Sequence, residues 1–151
     1  MNILPGDLTD PRLIALLATH VRTARDATAP GSSHALDLTG LAAPDIELWT
    51  LHSADDIAAV GALKFMTTDH AEIKSMHTAA SHRRQGLAGQ MLRHLIDRAR
   101  RRGLIRLSLE TGSWPYFAPA HALYQSNGFV FCDAFGDYRP DPNSRFMTLD
   151  L

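Results

Sequence analysis

The sequence predicts a mixed α/β domain, a central mixed sheet with helices on both faces. Strand-like and helix-like stretches follow one another in the order β, α, α, β, β, β, α, β, α, β, β. Strands interrupted by crossing helices need apolar cover on both faces of their sheet. Residues 87–102 carry a one-sided apolar stripe with arginines opposite, as a helix lying on a sheet does. The 151 residues are 45% hydrophobic and 21% charged. That suits one domain over residues 1–151, burying roughly 70% of the surface its unfolded chain exposes.

Residues 1–4 are short and apolar, an edge strand, and Pro5-Gly6-Asp7 turns the chain. Thr9 or Asp10 can cap a helix with Pro11 at its first position. That helix carries Leu13, Ile14, Leu16, Leu17 and Val21 and fades by about Arg25. Residues 27–33 form a Pro/Gly/Ser-rich loop, a connector or a lid over a site. A short second helix is expected over residues 34–38, broken by residues 40–44. Residues 46–52 alternate as a strand, residues 53–56 turn, and residues 57–65 complete a hairpin, with Gly61 marking a bulge or a close approach. In the next strand, residues 71–78, Ile73, Ser75 and His77 face one way and Glu72, Lys74, Met76 and Thr78 the other. The helix that follows presents Leu87, Met91, Leu92, Leu95, Ile96 and Ala99 on one stripe, and Gly103 ends it. Residues 104–110 form a strand with Ile105, Leu107 and Leu109 on one face. Pro119 opens a helix that runs to Asn127 and stops at Gly128. Strands at 129–132 and 145–151 flank a Gly/Asp/Pro-rich loop over residues 135–144.

Net charge is −1 with eight histidines, so no basic field points to nucleic acid. The run Arg98 to Arg102 reads as a solvated helix end favoured by the dipole. One cysteine, Cys132, excludes an intrachain disulfide and a cysteine-based zinc cluster. It reads as a small packed residue in an apolar strand. His70, His77, His82 and His94 lack a His-x-x-x-His pair and a companion carboxylate pattern, so no metal is expected. The first residues lack a basic region followed by an apolar stretch, so no signal peptide is expected, and no apolar run approaches the roughly 20 residues of a membrane span. A cytoplasmic protein with no membrane and no nucleic-acid partner is the expectation. Monomer and homodimer stay open.

The chemistry centres on Arg83-Arg84-Gln85-Gly86-Leu87-Ala88-Gly89, between a strand and a helix start. The first N–H groups of a helix lack intrahelical partners, and the macrodipole adds partial positive charge there. Gly86 lets the backbone approach a bulky ligand, and two arginines supply fixed charge. A phosphate or pyrophosphate is the natural guest. The chain has no Gly-x-x-x-x-Gly-Lys-Ser/Thr and no Gly-x-Gly-x-x-Gly after a strand, which sets aside a P-loop and a dinucleotide fold. Arg83, Gly86 and Ala88 instead make Arg-x-x-Gly-x-Ala. This resembles the acetyl-CoA pyrophosphate loop of the GCN5-related N-acetyltransferases (GNAT family). Ala122-Leu123-Tyr124 followed by Gly128-Phe129 resembles that family's second motif, one strand and one helix further on. The run from Phe135 to Ser144 is similar to small bacterial members.

The resemblance spans nearly the whole chain and implies the GNAT acyl-CoA N-acyltransferase fold. That is a mostly antiparallel sheet whose parallel pair, residues 71–78 and 104–110, splays open. It further implies that acetyl-CoA, as co-substrate, lies with its pyrophosphate on the N–H groups of Arg84, Gln85, Gly86, Leu87, Ala88 and Gly89, beside Arg83. Its pantetheine arm would pair with Met76, His77 and Thr78, and an N–H near Met76 or His77 would polarise the acetyl carbonyl. Tyr124 would pack on the cofactor and protonate the leaving thiolate. Glu72 is the candidate base, with Glu110 and His77 as rivals. Trp114, Tyr116, Phe117 and Tyr138 are candidates to line an acceptor pocket, with Arg139, Arg145 or His34 reading a carboxylate. The expected reaction is direct acetyl transfer to a primary amine of a small molecule in a ternary complex. A protein lysine or N-terminal acetyltransferase and a non-catalytic acyl-CoA-binding regulator stay open as alternatives.

Overall fold

The computed structural model describes residues 1–151. Its elements follow the expected order: β1 (Asn2–Pro5), α1 (Pro11–Asp26), α2 (Leu38–Leu41), β2 (Ile46–Ser53), β3 (Asp56–Phe65), β4 (His70–Thr78), α3 (Leu87–Arg101), β5 (Arg106–Gly112), α4 (Ala118–Ser126), β6 (Val130–Cys132) and β7 (Ser144–Asp150). Single 3₁₀ turns at Ala80–His82 and Pro115–Phe117 precede α3 and α4. The seven strands lie in the order β1-β2-β3-β4-β5-β7-β6. Every neighbouring pair is antiparallel except β4 and β5.

Helices cover both faces. Asp10 caps α1, accepting from the Arg12 N–H at 2.9 Å, and Pro11 stands where no N–H is needed. Leu13, Leu16 and Leu17 of α1 then bury against Leu48, Val60 and Ala62. On the other face the whole expected stripe of α3 is buried, against Leu63, Ile73, Leu107, Leu109 and Met147. Burying a side chain of this size contributes roughly 1.5–3 kcal/mol. The two helices are thereby fixed on opposite sides of β3 and β4, and the loop before α3 inherits that rigidity.

Three local expectations are corrected. The second helix is Leu38–Leu41, not residues 34–38. Asp37 caps it by accepting from the Gly40 N–H at 2.9 Å, and that cap carries the turn through the glycine expected to break it. Ile105 is 61% exposed and lies before β5, apart from Leu107 and Leu109. Its N–H donates to Asp69 and its carbonyl accepts from Leu151, so the connection is set by backbone bonds. The simple alternation along β4 also fails, and the reason bears on function.

Pairing of β4 with β3 passes from Lys74–Ala62 directly to His77–Val60. Gly61 alone faces Ser75 and Met76, and Ser75 takes a left-handed φ of 57°. This is a bulge. Gly61 is required, because a Cβ there would meet Met91 Cγ at 2.8 Å and Met76 Sδ at 3.0 Å. The extra residue resets the faces. Met76 joins Ile73 against the α3 layer, and His77 turns to the α1 side, its Nδ1 3.2 Å from Nδ1 of His20. Meanwhile β4 pairs with β5 only through His70–Glu72. From Ile73 onward that edge has no strand beside it, the splay expected of the parallel pair.

Candidate active site

The loop before α3 is a ready anion cradle. Arg84 and Gly86 both have left-handed φ, 63° and 76°. Gly86 is the N-cap of α3 with no side-chain hydrogen bond, so nothing from the protein satisfies the helix start. The N–H groups of residues 83–89 find no acceptor in the protein. A Cβ on Gly86 would meet nothing within 4 Å, which leaves open space over the cradle. Seven unpaired donors, a helix start and Arg83 and Arg84 together fit a pyrophosphate.

Beside the cradle, a channel of about 370 Å³ runs into the splay, lined by Thr78, Arg83, Ala88, Tyr116, Leu123 and Tyr124 among others. It meets an inner chamber of about 150 Å³. The two share Met76, Phe117, Ala120 and Tyr124 as common wall. On the far side lies an outer groove of about 1000 Å³ between the β3–β4 turn and residues 136–142. His34, Glu72 and Lys74 line both chamber and groove.

Four groups dominate the chamber. Tyr124 is 7% exposed, and burial, with help from the nearby Glu110 charge, pushes its pKa above the usual phenol value. Glu110, on the β5 side, is raised to about 7, mainly by burial. Glu72 is 4% exposed and ion-paired with Lys74, Nζ to Oε2 at 3.2 Å. Tyr138 Oη donates to the same oxygen and accepts from Lys74 at 2.9 Å. The other oxygen, Glu72 Oε1, has no partner in the protein. His20 lines both chamber and channel, and His77 the channel. Burial holds His20 down at about 4 and His77 below its usual range, so both are neutral near pH 7.

Loops close over the chamber. Ser32 Oγ donates to Asp141 at 2.8 Å, Trp114 Nε1 donates to Asn143 at 2.9 Å, and Ser113 Oγ donates to the Pro142 carbonyl at 2.7 Å. Three chain segments are thus tied together above the splay. Beneath them Phe117 packs on Gly112, where a Cβ would lie 2.0 Å from the ring. Gly112→Ala is expected to force that ring aside and destabilise the fold by about 1–3 kcal/mol. Thermal unfolding checks this, and an unchanged Tm would refute the packing.

The sequence candidates are brought together unevenly. Glu72, Glu110, Tyr124, Phe117 and His34 all line the chamber. Tyr138 and Arg139 line the outer groove. Tyr116 lines the channel beside the cradle, away from the groove. Trp114 is 40% exposed and serves as a tie between loops, and Arg145 stacks on Phe131, 3.8 Å from the ring centroid. Cys132 is half-buried at the sheet edge. Sequence reasoning gave no site role to Lys74, considered only as a pairing partner of Glu72, and none to His20. Lys74 was findable, since it shares a strand face with Glu72 two residues away. His20 lies three positions after Leu17 on the buried side of α1, a weaker sign. No group of three or more His, Cys, Asp or Glu side chains is placed to hold a metal ion. No helix is long and apolar enough to cross a membrane.

Comparison with known proteins supplies the family. Residues 18–129 match the model of the acetyltransferase (GNAT) family. The uncharacterized N-acetyltransferase YsnE of Bacillus subtilis (strain 168) is 48% identical over 151 residues, all of both chains. A Klebsiella pneumoniae structure described as an acyl-CoA N-acyltransferase superposes with a TM-score of 0.80 at 29% identity, covering 99% of this chain and 97% of that one. A Bacillus subtilis acetyltransferase solved with CoA shares the fold, with a TM-score of 0.74 at 20% identity over 99% of this chain and 98% of that one. Matched over most of its length by the family model and end to end by a 48% identical relative, the chain belongs to the GNAT family and is an acetyl-CoA-dependent N-acetyltransferase.

Proposed function

We propose that the protein transfers acetyl from acetyl-CoA directly to a primary amine of a small molecule while both are bound. The carrying observation is that the cofactor-side channel and the outer groove reach one small chamber from opposite sides. Donor and acceptor can therefore be held together, which favours direct attack over a covalent enzyme intermediate. The chamber's size and its roof of tied loops favour a small acceptor over a protein surface.

The acceptor arrives as an ammonium ion and Glu110 takes its proton. A pKa of about 7 suits a base working near neutrality. Glu72 is less suited, because protonating it would break an ion pair and a hydrogen bond. It serves better as a charge that orients the amine. The freed amine attacks the thioester carbonyl carbon, forming C–N and a tetrahedral oxyanion whose collapse breaks C–S. A peptide N–H at Met76 or His77, beside the bulge, stabilises the oxyanion. The unpartnered edge of β4 pairs with the pantetheine amides, as an added strand would. Tyr124 holds its proton throughout the working pH range, passes it to the departing thiolate, and regains one through water from the nitrogen, which sheds its surplus proton as the amide forms. No step uses a metal, and the cytoplasm, where acetyl-CoA is available, is the proposed location.

Thiol release tests this reading. Purified protein with acetyl-CoA is given a panel of small primary amines alongside peptides with free N-termini and lysines. Saturable release with small amines, and far weaker release with peptides, supports it. Release with peptides alone would replace it, and hydrolysis at background rate with every acceptor would refute transfer.

A further inference from the structure

The ion pair at the chamber mouth is incomplete on both sides. Glu72 and Lys74 are nine-tenths or more buried, with side chains 5% and 9% exposed. A buried pair is normally saturated, since unmet hydrogen-bonding capacity in low dielectric is costly. Here Lys74 and Tyr138 crowd onto the single oxygen Glu72 Oε2, and Oε1 is left without a protein partner. An ammonium has three donors, yet Lys74 Nζ has two protein acceptors, Glu72 Oε2 and Tyr138 Oη. One spare acceptor and one spare charged donor stand side by side where the chamber meets the groove.

This arrangement complements a zwitterion. An ammonium group fits the free Glu72 oxygen, and a carboxylate one carbon away fits the free Lys74 N–H. The pair is neutral, and so is a zwitterion, so binding brings no net charge into the chamber. An amine without a carboxylate leaves Lys74 unmatched. A carboxylate without an amine leaves Glu72 unmatched. Tyr138 braces the pair, its ring packed against Phe135 and Phe146 and its hydroxyl bonded to both ions. Glu110 stands on the same chamber to receive the proton, and the acceptor's side chain extends into the groove.

We infer that the acceptor is a free amino acid, its ammonium held by Glu72 and its carboxylate by Lys74. The inference rests on the proposed small-amine acetyl transfer and narrows it. Lys74 then decides specificity and takes no proton. A protein N-terminus is disfavoured because its carboxylate is tied up in a peptide bond.

The test compares free amino acids with their carboxamides and their decarboxylated amines, by thiol release from acetyl-CoA. The best amino acid is expected to exceed its amide and its amine by about tenfold or more in kcat/KM, because a buried donor left unmatched rejects the analogue. Lys74→Gln should raise KM for the acid about tenfold more than KM for the amide, so that the preference for the acid is lost. Lys74→Arg should keep the preference. Should Lys74→Gln fail to fold, the wild-type series decides alone. Amides or decarboxylated amines used as well as the acids would overturn the inference and leave small-amine transfer standing. No release above background with any amine would overturn both.

Discussion

Glu110→Gln is expected to lower kcat by about 10²–10⁴-fold, the usual worth of a general base. Acetyl-CoA affinity should change little, because the cradle is built from residues 83–89 on the other side of the splay. The pH profile separates this from a structural defect. With its pKa raised to about 7 by burial, Glu110 is about half ionised at neutrality and protonated below it. Wild-type kcat/KM should therefore fall as pH drops below about 7, and the variant should lack that limb. The same shift has a stability consequence of known sign. The folded pKa lies above the unfolded value near 4.5, so the protonated form is favoured by folding. That stabilisation is complete below pH 4.5 and is lost as pH rises through 7. Glu110→Gln should thus have a higher Tm than wild type at pH 8 and an equal Tm near pH 4. Full activity in the variant would return the base to Glu72, whose Gln variant would then carry the loss.

Tyr124→Phe is expected to lower kcat by a similar factor, about 10²–10⁴-fold, with KM for acetyl-CoA nearly unchanged. The ring is part of the core layer under α3 and packs near Phe129 with centroids 5.7 Å apart. Phenylalanine keeps that packing, so folding should survive and the loss should report on the hydroxyl alone. Burial pushes the phenol's pKa upward, so wild-type activity should show no basic limb from this group below about pH 10. A Tyr124→Phe enzyme that kept full kcat would remove the acid role and leave the ring as packing.

The larger features were legible because they rest on period and composition. The α3 stripe from Leu87 to Ala99 is wholly buried. The element order holds, and Arg83, Gly86 and Ala88 lie where helix start and splay meet. What escaped depends on single residues doing two things at once. Gly61 signalled a bulge or a close approach and both are present, but the extra residue sits on the neighbouring strand, where Ser75 has no side-chain reason to adopt φ 57°. Alternation counted along β4 alone therefore put Met76 and His77 on the wrong faces. Gly40 looked like a break because its cap, Asp37, acts through a local bond that outweighs glycine's poor helix propensity. Tyr116 and Trp114 were plausible pocket walls by type, but their positions follow from the 3₁₀ turn and loop ties. Lys74 was visible as a charge beside Glu72. Its burial and its partnership with Tyr138, 64 positions away, belong to the tertiary structure.

The most direct test is calorimetric titration of acetyl-CoA into the purified protein and into the Arg84→Glu, Gly86→Glu double variant. Two carboxylates placed in the cradle repel the pyrophosphate and fill the space over Gly86. Micromolar binding by the wild type, abolished in a variant of unchanged circular dichroism, is the predicted result. Equal binding by both proteins would move the cofactor away from residues 83–89 and contradict the account.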